Sequence, residues 1–316
     1  MTAALALLAY AITLGLMGPR LLERSAWTDR APRLGVLAWQ AATVSVLGAL
    51  VLAGFALVVP IGRASHGLSH LIHACQTMLQ SGYGGVIQPV GAYLGLGSVS
   101  ALTLWTGGHV AFALLSTARH RRRHAEMLAV LAHRRADLDA FVVQHDQPMA
   151  YCLGGRHRCV VLTTGALERL PDEQLAAVLA HERAHLRGRH DLAVNLSLAV
   201  DRAFPGVPLF SRACGEISRL VELLADDAAA HRHDRVSVAA ALVTLADGGV
   251  PSAALGAGGQ TAVVRVRRML APQRPLPRAA RLAAHLGVAL LIAVPVAIAA
   301  NPAVLAVLAE HCHLSL

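Results

Sequence analysis

In the stretch AHERAHLRGRH, residues 180–190, two histidines stand four apart with a glutamate directly after the first. On a helix, residues four apart share a face, so the imidazoles of His181 and His185 can bind one metal ion. Glu182 then stands beside the metal without ligating it, placed to take a proton from water. Two imidazoles still need a third protein ligand. The stretch RLVELLADDAAAH offers Glu222 and Asp226, again four apart. Glu222 can complete the shell of one zinc ion per chain, and Asp226 can accept a hydrogen bond from a ligand imidazole and so fix its tautomer. The competing reading is a solvated acidic face on an amphipathic helix. Glu216 competes for the ligand's place but has no acidic partner one turn on.

What must position these residues is set by composition. The chain has 316 residues, of which 55% are hydrophobic and 15% charged, and its mean hydropathy is +0.52. That is too apolar for an ordinary soluble domain of this length. Four stretches approach or exceed the roughly 20 apolar residues that cross a hydrocarbon core: 2–19, 34–60, 86–116 and 282–309. The first lacks a basic leader and a cleavage site, so it reads as a span and not a removable signal.

The net charge of +9 comes from a chain whose 28 basic residues are all arginine. They gather at particular span ends: Arg20, Arg24, Arg30 and Arg33 between the first two spans, Arg119, Arg121, Arg122 and Arg123 after the third, and Arg265, Arg267, Arg268, Arg274, Arg278 and Arg281 before the fourth. The excess of arginine on cytoplasmic loops predicts both termini outside, the 61–85 loop outside and residues 117–281 inside. Because the arginines track span ends, direct nucleic-acid binding is not expected. The domains read from the chain are a three-span membrane domain over 1–116, a cytoplasmic metallopeptidase domain over 117–281, and a fourth span with an outside tail over 282–316.

Within the middle domain, 117–137 reads as a helical continuation of the third span. Strands are expected near 139–144, 149–153 and 158–163, and helices near 171–188, 190–202, 211–231 and 235–246. The Gly-rich 248–261 segment reads as a linker to the last span or a self-cleavage region. His231 and His233, in HRHDR, are candidate oxyanion stabilisers, against the plainer reading of exposed histidines. His190, five residues after His185, falls off the ligand face. The strand in RCVVLTTG is either an edge that pairs with an extended substrate or an interior strand of a hairpin.

Outside the membrane, SHGLSHLIHAC puts His66, His70 and His73 on one helical face, and the tail HCH adds His311 and His313 around Cys312. Imidazoles and thiols together suit zinc or copper, so these residues form a candidate extracellular metal site, against a metal-free interfacial helix. Cys75 and Cys312 are a candidate disulfide. Cys152, Cys159 and Cys214 are expected reduced and lack zinc-ribbon spacing.

The stretches VVLTTGALERLPDEQLAAVLAHERAHLRGRH and VELLADDAAA, set between three spans and a last one, resemble the BlaR/MecR family of transmembrane metallopeptidases. The resemblance implies an α-helical polytopic protein of the bacterial plasma membrane with a cytoplasmic α+β domain of minimal gluzincin fold. It implies His181, His185 and Glu222 as zinc ligands and Glu182 as general base, and resemblance to zinc peptidases with a glutamate ligand makes His181 the expected partner of Asp226. It also implies proteolysis that inactivates a BlaI-like winged-helix repressor in an antibiotic or stress response, with self-cleavage or a homodimer as further expectations. The familiar members carry an extracellular penicillin-binding sensor; here only EHCHLSL comes after the fourth span, so a short form without that sensor is expected. Two alternatives stay open: a quality-control protease of the HtpX/Ste24 kind, and a non-catalytic signalling protein with structural zinc. Retention of Glu182 argues against the second, since a structural site has no use for a base.

Overall fold

Residues 2–25, 27–58, 87–155, 158–247, 258–271 and 275–313 are described in the computed structural model. Nearly half of the apolar residues lie in four long helices: α1 (Thr2–Glu23), α3 (Pro32–Val58), α4 (Ile87–Leu131) and α11 (Arg278–His313), with the short α2 (Trp27–Arg30) after α1. Each is long and apolar enough to cross a membrane, over Thr2–Glu23, Pro32–Val58, Val90–Leu131 and Arg278–Asn301. Leu5, Ile12, Val44, Leu94, Leu104 and Leu290 are exposed on their outer faces, where a bilayer would cover them. Between α3 and α4 the backbones come very close. A β-carbon at Gly95 would lie 2.6 Å from the Gly54 carbonyl oxygen, so glycine is what lets these two helices pack.

The third span does not continue as a helix to residue 137. α4 stops at Leu131, and Ala132–Arg135 forms β1, antiparallel to β2 (Ala140–Val143). Asp139, at φ 44°, makes the turn between them. β3 (Ala150–Leu153) and β4 (Cys159–Thr163) form the expected antiparallel hairpin, and β4 also pairs in parallel with β2. The sheet order is therefore β1-β2-β4-β3. This corrects the edge-strand reading of RCVVLTTG: β4 is interior, with Val161 and Leu162 fully buried, and the free edge beside it is β3.

Thr163 ties the sheet to the first helix after it. Its hydroxyl donates to Gln147 O at 2.7 Å and accepts from Met149 N at 2.9 Å and Ala166 N at 3.2 Å, capping α5 (Thr164–Arg169). α6 (Asp172–Gly188) then opens with Asp172 and Glu173, whose charges suit a helix N-terminus. Its apolar face, Leu175, Val178 and Leu179, packs on Val160 and Leu162 of β4. α7 (His190–Ala203), α8 (Pro208–Ala230), α9 (Arg235–Asp247) and α10 (Gly258–Leu270) complete the unit.

α8 joins the two halves of the molecule. Leu209, Phe210, Ile217, Leu220 and Leu223 share one core with Leu7, Trp39 and Val46 of α1 and α3. Ion pairs from Arg212 to Glu23 at 2.9 Å and from Arg219 to Asp29 at 2.8 Å flank it. Leu220 is fully buried two residues before Glu222. Truncation in Leu220→Ala is expected to cost roughly 2–5 kcal/mol, read as a lower Tm of the full chain in detergent. An unchanged Tm would show that α8 is not anchored at this core.

Candidate metal centre

α6 and α8 cross so that residues 41 positions apart in sequence meet, as the spacing 181 to 222 shows. The Nε2 atoms of His181 and His185 lie 3.1 Å apart. Glu222 Oε2 is 3.6 Å from His181 Nε2, and Glu222 Oε1 is 3.4 Å from His185 Nε2. A tetrahedral zinc ion with bonds near 2.0–2.1 Å separates its donors by roughly 3.3 Å. The two imidazole nitrogens and the Glu222 carboxylate are therefore close to the spacing of three corners of such a tetrahedron, and they are the metal-holding group found among the described residues. His181 Nδ1 sits 3.0 Å from Asp226 Oδ1, the placement expected for a carboxylate that orients a ligand ring.

Glu182, next along α6, lies on the helix that packs against β3, near the Cys152 thiol. Burial raises the pKa of Glu182, opposed by the nearby His181, which suits a group that must accept a proton near neutral pH. Burial also pushes the Cys152 thiol up, so it stays protonated. For His181, burial works against the charged ring, but bonding to Asp226 and Glu222 wins and holds its pKa up at about 9. His185 is lowered to about 4 by burial. Glu222 falls to about 2, its burial outweighed by His181 and Arg265. Asp226 is lowered too: it is buried, but Arg265 and His181 bond its charged form.

By sequence alone Arg265 belongs with the arginines flanking the fourth span. Instead, α10 carries it into this site: its guanidinium clasps Asp226 through Nε at 2.8 Å and Nη2 at 2.6 Å, and reaches Glu222 through Nη1 at 2.9 Å. The helix from Gly258 onward thus replaces part of the expected 248–261 linker, of which 248–257 lie outside the described residues. One local signal points inward. Arg265 stands four before Met269, and Met269 is buried, so the two share a helical face.

His190 is a second correction. The helix ends before it, as the expected bounds have it, but through a left-handed Arg189, φ 49° and ψ 40°. The chain turns back, and His190 Nδ1 comes within 3.0 Å of His185 Nδ1, with the rings edge to face. A β-carbon at Gly188 would overlap the His190 ring, so the glycine makes room for this contact. Burial lowers the pKa of His190 to about 4, leaving a neutral ring that can hold its neighbour's tautomer.

The other candidates are not brought to this cluster. Glu216 is engaged by Arg219 at 2.8 Å. His231 lies past the end of α8 and His233 in the turn before α9; among the described residues neither ring forms a hydrogen bond or ion pair. His66, His70, His73 and Cys75 lie outside the described residues, as do the side chains of His311, Cys312 and His313, so the outside metal site and the disulfide fall there too.

Two outcomes are expected of zinc titrations. Zinc must displace the proton that His181 holds up to about 9, so apparent affinity should rise roughly ten-fold per pH unit below that value and level off above it; a flat profile between pH 6 and 9 would exclude His181 as a ligand. Asp226→Asn should weaken zinc binding by roughly 10–100-fold, the usual cost of losing a carboxylate behind a ligand histidine.

Residues 115–285, more than half of the chain, match the model of peptidase family M48. The chain is 37% identical over 59 residues to a protease HtpX homolog of Acidiphilium cryptum, covering 18% of this chain and 21% of that protein. It is 36% identical over 72 residues to one of Aquifex aeolicus, covering 21% and 24%, and 34% identical over 65 residues to one of Levilactobacillus brevis, covering 20% and 22%. The chain thus spans less than a quarter of the length of the curated relatives it matches. No solved structure matches. A metal-binding triad on two crossed helices, a buried glutamate beside it and four membrane-length helices all accord with this match: the chain belongs to peptidase family M48, whose members are zinc-dependent metallopeptidases.

Proposed function

We propose that the protein is a membrane-embedded zinc metalloendopeptidase of the HtpX kind, cutting extended segments of misfolded membrane proteins. The observation that carries this reading is the spacing of 3.1, 3.4 and 3.6 Å among the donor atoms of His181, His185 and Glu222, with Glu182 buried beside them. Zinc, when bound, supplies Lewis acidity for the scissile carbonyl and for water. Glu182 takes the water's proton and delivers it to the leaving amine. Asp226 and His190 hold the two imidazoles in their ligating tautomers, and Arg265 holds the carboxylates in place. The free edge of β3 gives an extended substrate a strand to pair with, and Cys152 of that edge lies near Glu182.

The active site is proposed to face the cytoplasm, within a unit near 117–281, because arginines gather at the span ends that flank it. Membership of the family by a domain match and partial relatives supports an HtpX-like substrate range more directly than a dedicated regulatory one. One observation favours a second reading, in which the substrate is a BlaI-like repressor. The catalytic unit sits between the third and fourth membrane-length helices, the arrangement that carries the resemblance to BlaR/MecR proteins. Self-cleavage and a homodimer belong with that second reading.

The test is hydrolysis by the full chain in proteoliposomes, wild type against Glu182→Gln, with bound zinc quantified. The variant should keep one zinc per chain and lose roughly 10²–10⁴-fold in rate, the contribution of a general base. Zinc retained with undiminished hydrolysis would remove Glu182 from the mechanism. Cleavage of an unfolded membrane protein supports the first reading; cleavage of a winged-helix repressor alone supports the second.

A further inference from the structure

Where α4 leaves its apolar stretch, a cavity of ≈ 350 Å³ opens between α4, the turn after β3 and the start of α7. One wall is apolar, made by Leu114, Leu115, Leu153 and Leu192; the other carries the guanidinium groups of Arg119, Arg121 and Arg122. Asp191 is the one carboxylate among its described lining residues. It holds Arg121 at 2.6 Å, and the two side chains keep 24% and 32% of their surface exposed. Arg122 leans on Glu126 at 2.9 Å in a pair that is mostly exposed, a contact of little worth in water. Arg119 forms no hydrogen bond or ion pair among the described residues.

An apolar wall below and three guanidinium groups above, at the end of a helix of membrane length, match the two halves of one amphiphile. We propose that this cavity binds an anionic phospholipid, with its phosphate between Arg119 and Arg122, one helical turn apart on α4, and the start of an acyl chain along Leu115 and Leu192. Juxtamembrane arginines attract anionic headgroups in general; here the shaped cavity adds a seat for one molecule. An acidic peptide fits less well. Leu153 packs with Leu128 and Val161 on the α4 side of the sheet, whereas Cys152 lies near Glu182, so the cavity lies behind the strand proposed to meet substrate. The inference rests on α4 crossing a bilayer and is independent of the zinc chemistry. The cavity adjoins the metal centre, however, since Asp191 comes directly after His190 and a β-carbon at Gly154 would come within 2.7 Å of its carboxylate.

The experiment is native mass spectrometry of the full chain released from vesicles of phosphatidylcholine mixed with phosphatidylglycerol. One phosphatidylglycerol per chain should be retained in preference to phosphatidylcholine. Arg119→Gln with Arg122→Gln leaves the Arg121–Asp191 pair intact and should weaken retention by roughly five-fold for each guanidinium removed. Ala118→Trp fills the cavity, keeps every charge, and should abolish retention. Arg232→Gln with Arg278→Gln removes two exposed arginines elsewhere and should change nothing. Matching circular dichroism and Tm across the variants secures the comparison, and the arginine pair can be read without the tryptophan variant if that chain fails to fold. Equal retention of both lipids, equal loss in the Arg232 and Arg278 control, or full retention by a folded Ala118→Trp would overturn the proposal in favour of diffuse surface attraction. Displacement of the lipid by inorganic phosphate alone, or by an acidic peptide, would overturn the assignment of a lipid as occupant.

Discussion

The arrangement of charge around Arg265 constrains the whole of the half proposed to face the cytoplasm. Glu222 and Asp226 converge on one guanidinium, with Asp226 fully buried and Arg265 15% exposed, and Glu182 lies near enough to feel its charge. With all three carboxylates ionised and His181 stripped of the proton that it otherwise holds up to about 9, Arg265 balances one carboxylate and two negative charges are left. Charges out of water are costly unless paired, and a divalent cation between His181, His185 and Glu222 supplies the missing balance. The same group thus fits zinc by donor type, by donor spacing and by charge. It also requires three helices far apart in sequence, α6, α8 and α10, to hold register closely, because charge pairs in a poorly solvated site weaken with every ångström of separation.

α8 meets that requirement by being rooted in the membrane helices. Its first half packs against Leu7, Trp39 and Val46, and its second half delivers Glu222 and Asp226. The close approach of α8 to α3 depends on a missing side chain: a β-carbon at Gly35 would lie 2.9 Å from Leu220 Cδ1. On the other side, the Trp105 indole of α4 donates to Ala203 O at 2.7 Å, at the end of α7. The metal centre is therefore not a domain hung below a membrane anchor. Part of its own core is made by the spans.

Much of this is legible in the sequence because the signals are local. A run of some twenty apolar residues has one stable use, and four of them appear as four membrane-length helices. The 181, 182, 185 and 222, 226 spacings each report one helical face, so the pattern points to the donor set without knowledge of how the helices cross. What is not legible depends on contacts distant in sequence or on one backbone angle. Arg265 lies 39 residues after Asp226, and its place four before Met269 marks a helical face without naming the carboxylate that it meets. His190 faces the site because Arg189 breaks the helix left-handed, a conformation that an arginine does not announce. The short β1 hides in the arginine-rich AHRR at the end of a long helix, and β4 reads equally as an edge or an interior strand because strand order is a property of the sheet, not of the strand.

The displaced arginines also bear on sidedness. Of the six basic residues before the last span, Arg265 and Arg268 prove to be internal: Arg268 grips Asp227 at 2.6 Å and reaches the Asp29 carbonyl at 3.0 Å. Arg121 and Arg122 are paired as well. If orientation depended on net charge, these pairings would weaken the case for a cytoplasmic site. The bias that orients spans counts lysine and arginine near the span ends and is little affected by acidic residues. It also acts while the chain is being inserted, before α10 can find Asp226. Arg278 and Arg281 remain at the start of α11, and Arg119 and Arg123 lie in α4 beyond its apolar stretch. The proposed orientation therefore stands on arginines at the span ends that form no ion pair among the described residues, while Arg265 satisfies the same rule and then supplies the counter-charge for the proposed ligand Glu222 and for Asp226.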